Sequence, residues 1–282
     1  MIGLVLEGGA NRTYYSIGVL DAFLDNSIDV DFMVGVSAGI ANGVSYISKQ
    51  RGRGLELGMK YICDKRYMGM KYFFKRKNRS YYNLDFVFDE IPNKYVPFDY
   101  DTYDKFPGKV YAVITNIETG EPEYREVEST DTSWKLIQAS CALPFMFKPI
   151  EIDGNKYFDG GCCDPLPVKF AFESGCDKVI TIITRELSYE KQTEKDVAFS
   201  AFAYRKHKNF ANALKKRSDV YNESREFLFE KVKSGEAFVF APTDTNGWKR
   251  TERRPEMLKM MYDEGYSDAI KRMDELKTFL NR

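Results

Sequence analysis

Phe32-Met33-Val34-Gly35-Val36-Ser37-Ala38-Gly39 is the stretch on which the fold turns. A short apolar run, Phe32-Met33-Val34, enters a Gly-x-Ser-x-Gly turn, and helical spacing continues through Tyr46 and Ile47. The letters alone are weak: with Gly and Ser each at about 7% of residues, chance places them in roughly one chain in ten of this length. The strand before and the helix after give them meaning. A sharp strand-to-helix turn pushes the Ser37 hydroxyl out over the sheet edge and leaves no room for side chains two positions either side, hence Gly35 and Gly39. The next amide, that of Ala38, then opens a helix, where unpaired N–H groups favour negative charge.

Upstream the same unit occurs once more. Ile2 to Leu6 is continuously apolar, Gly8-Gly9 breaks it, and Ile17, Val19, Leu20, Phe23 and Leu24 follow at helical spacing. Two strand–turn–helix units in 50 residues call for a parallel sheet with helices on its faces. Downstream, strands are expected at Lys109 to Ile117, Tyr124 to Val127, Lys178 to Thr184 and Ala237 to Phe240. Ile150 to Ile152 and Lys156 to Phe158 flank the turn Asp153-Gly154-Asn155 as a hairpin. Helices are expected at Trp134 to Cys141, from Val168, and as one C-terminal helix from Met257 to Leu280. The expected fold is a three-layer α/β/α arrangement with a mainly parallel central sheet. Residues 1–185 form its core, with a basic, aromatic insertion at about 49–106 over one edge of the sheet. Residues 186–282 form a mainly helical extension packed on that core.

Composition narrows the function. The 282 residues are 43% hydrophobic and 30% charged, which suits a globular chain able to bury a large core without staples. Lys+Arg 42 balances Asp+Glu 42, which argues against a nucleic-acid binder. Five cysteines without a CxxC read as buried thiols of a reducing compartment. With no apolar run of membrane-spanning length and no basic leader, the chain reads as cytoplasmic. Its single histidine, His207, excludes His-rich metal sites, and no metal or other cofactor is expected.

Ser37 needs a base. His207 lies among Arg205, Lys206 and Lys208, where neighbouring cations disfavour its protonation, and it reads as a surface residue. Carboxylates remain, and Asp159 is the most conspicuous, because Asp159-Gly160-Gly161 follows an apolar run and lets the backbone approach another group closely. Against this stands an ordinary turn aspartate bonding its own backbone.

These residues carry a resemblance. Gly35-Val36-Ser37-Ala38-Gly39, the N-terminal strand ending in a glycine-rich turn, the stretch Ala139-Ser140-Cys141-Ala142-Leu143-Pro144 and Asp159-Gly160-Gly161 resemble, in order over about residues 1–185, the patatin-like phospholipase family. The resemblance implies a catalytic dyad of Ser37 and Asp159 acting without histidine on a lipid or other acyl ester. It also implies an oxyanion hole from the amides of Gly8, Gly9, Ala10, Asn11 and Arg12, with Ala38. The family usually shows Gly-Gly-Gly-x-Arg/Lys-Gly there; this chain has Gly8-Gly9-Ala10-Asn11-Arg12-Thr13, so Ala10 and Thr13 replace glycines. A Cβ at a position needing φ > 0 costs on the order of 1 kcal/mol. The alternative reading is therefore a catalytically impaired fold serving as a lipid-binding or interaction module. A phosphate site at Gly8-Gly9 is a third, lacking the full fingerprint.

The stretch Lys60 to Tyr82, including Lys71, Tyr72, Phe73, Phe74, Lys75, Arg76 and Lys77, combines cations with aromatics, as peripheral contact with a lipid surface requires. A solvated face over a core edge is the plainer reading. Nothing in the sequence addresses oligomeric state.

Overall fold

In the computed structural model, residues 1–74, 80–192 and 202–281 are described; Lys75, Arg76 and Lys77 of the basic stretch lie outside them. Eight strands form one sheet: β1 (Ile2–Leu6), β2 (Phe32–Val36), β3 (Lys109–Asn116), β4 (Pro122–Glu126), β5 (Ile150–Ile152), β6 (Asn155–Asp159), β7 (Lys178–Ile182) and β8 (Ala237–Phe240). Strands β3, β2, β1, β7 and β8 run side by side in parallel, and β4, β6 and β5 are antiparallel additions at the β3 end. The helices are α1 (Tyr14–Asp25), α2 (Ala38–Ile47), α3 (Arg53–Tyr61), α4 (Tyr100–Asp104), α5 (Lys135–Ser140), α6 (Val168–Glu173), α7 (Lys208–Lys233), α8 (Pro255–Lys271) and α9 (Met273–Asn281).

Period-two alternation builds the three layers. Leu4, Leu6, Met33, Ile180, Ile182, Phe238 and Phe240 face one core, shared with α1, α2 and α8. Val5, Val34, Val36, Val179 and Val239 face the other, closed by Val168 and Ala171 of α6 and Leu228 of α7. The central strands are buried on both sides, which explains why they read as unbroken apolar runs.

The C-terminal extension is woven into this frame. Strand β8 extends the sheet beside β7, and α8 lies backbone against backbone on α1. A Cβ added at Gly18 would stand 2.0 Å from the Tyr262 carbonyl oxygen, and one at Gly265 would stand 2.0 Å from that of Tyr15. The expected single C-terminal helix is two, because the backbone leaves helical geometry at Arg272, whose guanidinium donates to the Val239 carbonyl at 2.7 Å.

From the insertion, Ile62, Met68, Leu84, Phe88, Phe98 and Tyr103 join the core on the α1–α2 face, and the Tyr103 hydroxyl donates to the Val127 carbonyl just after β4 at 2.7 Å. Close contacts of Gly54 with Ile17 and of Gly58 with Tyr14 bring α3 down onto α1. The amphipathic segment thus deepens one helical layer.

Candidate active site

Strand β3 brings the site together. Its residues 111–113 pair with both β2 and β4, and its residues 114–115 with both β6 and β4. Strand β4 therefore occupies one edge, and β2 and β6 follow each other end to end along the other. Val36 pairs with Val113, and Asp159 pairs with the next residue, Ile114. Two positions 122 residues apart thus become neighbours, and the Ser37 hydroxyl donates to Asp159 Oδ2 at 2.7 Å.

Local geometry turns Ser37 toward its partner. It adopts φ 54 and ψ −129 between β2 and α2, a conformation that costs a non-glycine residue roughly 1–3 kcal/mol. A Cβ on Gly35 would approach the Ile40 backbone to 2.8 Å, and one on Gly39 would lie 2.7 Å from the carbonyl oxygens of Leu6 and Glu7. Gly160 lies against the Val113 carbonyl, where a Cβ would stand at 2.2 Å. The Gly161 amide donates to Asp159 Oδ1 at 2.8 Å, and the Arg217 side chain on α7 donates to the Gly161 carbonyl at 2.6 Å.

Asp159 is 2% exposed. Burial pushes its carboxyl above the usual range, against the opposing pull of the Ser37 and Gly161 hydrogen bonds and of the Arg217 and Arg250 charges. His207 lies elsewhere, with Nδ1 3.1 Å from a Glu118 carboxylate oxygen. Among the described residues, no cluster of three His, Cys, Asp or Glu side chains is arranged to hold a metal.

The amides of the glycine loop differ in their partners. Asn11 gives its amide to the Arg250 carbonyl at 3.2 Å, and Arg12 gives its own to the Gly9 carbonyl at 3.2 Å. Among the described residues the amides of Gly8, Gly9, Ala10 and Ala38 have no protein acceptor. Ala10 adopts φ 49, the conformation a glycine would hold there. A Cβ on Gly8 would come within 3.1 Å of the Ser37 Cβ, which places this loop directly beside the serine.

Ser37 also lies on the wall of an apolar cavity of about 160 Å³. Leu57, Tyr67, Tyr82 and Phe88 of the insertion line it, opposite Trp134, Ile137 and Phe147, so the insertion forms much of its wall. Sequence reasoning missed Ser140, whose hydroxyl accepts the Ser37 amide at 2.9 Å; its only signal was membership of the Ala139–Pro144 stretch.

Residues 4–172 match the family described as patatin-like phospholipase, and residues 207–281 match a domain of unknown function, DUF6363. The chain belongs to the patatin-like phospholipase family. This patatin-like chain is 29% identical to the uncharacterized protein YjjU of Escherichia coli (strain K12) over 189 residues, covering 65% of this chain and 52% of that protein. It is 27% identical to lysophospholipase nte1 of Aspergillus terreus over 186 residues, covering 64% of this chain and 12% of that one. The match thus spans about half the length of the first relative and a small part of the second. Among solved structures, VipD from Legionella pneumophila is similar at a TM-score of 0.46 and 12% identity, over 97% of this chain and 66% of that one.

Proposed function

We propose that the chain is a serine-dependent lipid acyl hydrolase of phospholipase A or esterase type, in which Ser37 and Asp159 act as a two-residue catalytic unit. The 2.7 Å bond from the Ser37 hydroxyl to a buried carboxylate, beside an apolar cavity, carries this reading. Asp159 takes the hydroxyl proton as Ser37 Oγ attacks the ester carbonyl. The amides of Gly8, Gly9, Ala10 and Ala38 are the donors available to the tetrahedral oxyanion. Asp159 then protonates the departing alcohol, leaving an acyl-serine, and a water molecule deprotonated by Asp159 hydrolyses it. A carboxylate with an ordinary pKa of about 3.9 is a weak base at neutral pH, and burial of Asp159 strengthens it. Residues 1–185 are the catalytic core in this reading, and residues 186–282 are an extension that closes the site.

The impaired-fold alternative rested on Ala10 and Thr13 in place of glycines. Against it, the loop adopts φ 49 at Ala10 despite the Cβ and keeps its amide without a protein acceptor. The relatives named lysophospholipase point to a lipid ester as substrate. Among the described residues no helix is long and apolar enough to cross a membrane. Met70 and Phe74, 63% and 80% exposed near Lys71, suit peripheral contact with a lipid surface from the cytoplasmic side. Labelling with a fluorophosphonate probe, located by peptide mapping, tests the reading. Modification at Ser37 that is lost in Ser37→Ala is expected; absence of label, or label elsewhere, overturns it.

A further inference from the structure

Two successive carbonyls of the loop between β1 and α1 are held in place. The Gly9 carbonyl accepts the Arg12 amide at 3.2 Å, and the Ala10 carbonyl accepts the Thr13 hydroxyl at 2.7 Å. A trans peptide sets its N–H opposite its C=O, so each bond also aims the amide of the following residue. For Ala10 that amide has no protein acceptor among the described residues, whereas Asn11 gives its own to the Arg250 carbonyl at 3.2 Å. The peptide group joining Ala10 to Asn11 is thus pinned at both ends.

The pinning matters because of Ala10. It adopts φ 49, which an L-residue keeps only where its surroundings over-determine the backbone. Freed, it relaxes toward negative φ, and that rotation changes the angle between its amide and the rest of the loop. Thr13 supplies the hold from a position where a glycine has no hydroxyl. It is 1% exposed, and its Oγ1 is steadied by accepting Asn42 Nδ2 at 2.9 Å from α2, the helix that Ser37 opens. On the opposite side Asn11 hooks onto the segment before α8. Its Nδ2 donates to the Glu252 carbonyl at 2.5 Å, two residues along from its backbone bond to Arg250. Arg254 grips the Glu252 carboxylate through both oxygens, at 2.9 and 2.7 Å, which fixes that segment in turn.

Ala10 and Thr13 are the two places where this loop departs from Gly-Gly-Gly-x-Arg/Lys-Gly, and one hydrogen bond joins them. We propose that the departures compensate each other. Thr13, steadied by Asn42, is a positioning residue that holds Ala10 in its left-handed conformation and so keeps the Ala10 amide free for the oxyanion, with Asn11 and residues 250–252 as the opposite anchor. The role of the amide rests on the acyl-hydrolase reading; the brace itself does not.

Thr13→Val and Thr13→Ser, each made in the full-length chain with and without Ala10→Gly, test this through kcat and KM on p-nitrophenyl butyrate and through melting temperature. Thr13→Val should lower kcat at least tenfold with KM changed less than twofold. Thr13→Ser, which keeps the hydroxyl, should retain at least half of the wild-type kcat. In the Ala10→Gly chain, where glycine holds positive φ unaided, Thr13→Val should cost less than threefold. Ala10→Gly should raise the melting temperature by about 1–3 °C when Thr13 is present and give no such gain after Thr13→Val, where the strain has already relaxed. An equal kcat loss in both backgrounds, a loss expressed in KM, a Thr13→Ser chain as impaired as Thr13→Val, or an equal gain in melting temperature in both backgrounds overturns the proposal. If Thr13→Val does not fold, Asn42→Ala is read in the same two backgrounds. A threefold or greater loss of kcat that Ala10→Gly at least halves then supports the brace, and an equal loss overturns it. A wild-type chain without turnover whose melting temperatures still show the coupling removes the acyl-hydrolase reading and leaves the brace standing.

Discussion

The Ser37 amide donates to the Ser140 hydroxyl at 2.9 Å, and that hydroxyl donates in turn to the Val113 carbonyl at 2.7 Å. One fully buried side chain thus ties the turn after β2 to β3 and to the end of α5. Ser140→Ala leaves a buried donor and a buried acceptor unpaired, which costs about 1–3 kcal/mol. In the proposed mechanism it also loosens the strained turn that aims the nucleophile. Denaturant unfolding should show the stability loss, and kinetics on p-nitrophenyl butyrate should show kcat falling more than KM rises. An unchanged kcat would make Ser140 a stability residue alone.

Gly18 and Gly265 face each other where α1 and α8 cross. Gly18→Ala drives a methyl group into the Tyr262 carbonyl, and overpacking of this kind costs about 1–3 kcal/mol or more. A lower denaturation midpoint is expected. If the extension is part of one cooperative unit, the transition remains single; two separated transitions would show that the extension unfolds by itself.

The parallel strands were legible because burial on both faces makes Ile2–Leu6 and Phe32–Val36 continuous apolar runs. The hairpin of β5 and β6 was legible through Asp153 and Gly154, which take positive φ in its turn. The segment Phe86–Tyr95 was not, since it winds as a π-helix through Pro92 and leaves no 3.6-residue period to read. The break at Arg272 was hidden too, because apolar spacing runs on from Met257 to Leu280. Ser37 and Asp159 announced themselves by the glycines their close contacts require. The cations around them did not: Arg12, Arg185, Lys191, Arg217 and Arg250 belong to separate segments, and only folding assembles them.

The apolar cavity should set acyl-chain preference. Ala41 on α2 lines it, and Ala41→Leu adds three carbons into existing space. Filling the cavity leaves stability within about 1 kcal/mol while shortening the chain it accepts. The ratio of kcat/KM for p-nitrophenyl laurate over p-nitrophenyl butyrate should fall several-fold. A ratio unmoved by the substitution would place the acyl chain elsewhere.

Ala10 offers a test of the altered glycine loop. Its left-handed backbone costs an L-residue about 1–2 kcal/mol, and glycine's greater unfolded-state freedom returns about 0.4–1 kcal/mol of any gain. Ala10→Gly should therefore stabilise slightly, by roughly 0.5–1 kcal/mol, with activity retained. Ala10→Val places a β-branched residue at φ 49 and should tilt the amide away, lowering kcat by about 10²–10³-fold. Equal activity in Ala10→Val would remove this loop from the oxyanion hole.

In the proposed mechanism, Asp159 connects activity and stability through one proton. Because burial raises its pKa, the folded chain holds a proton between the ordinary value of 3.8 and the raised one, where the unfolded chain has lost it. Its contribution to stability is thus greatest below 3.8, declines as pH rises through that window and stays reduced above it. The base needed for catalysis is ionised only above the raised pKa, so kcat/KM should climb with pH through a single proton loss lying higher than a free carboxylate would give. Asp159→Asn removes the buried charge and keeps an oxygen for the Gly161 amide. It should lower kcat by about 10²–10⁴-fold and melt at or above the wild-type temperature at pH 7, with that advantage gone near pH 3. Melting curves of both proteins across pH check this directly. A variant less stable than wild type at neutral pH would mean that the Ser37 and Gly161 hydrogen bonds outweigh desolvation at this carboxylate.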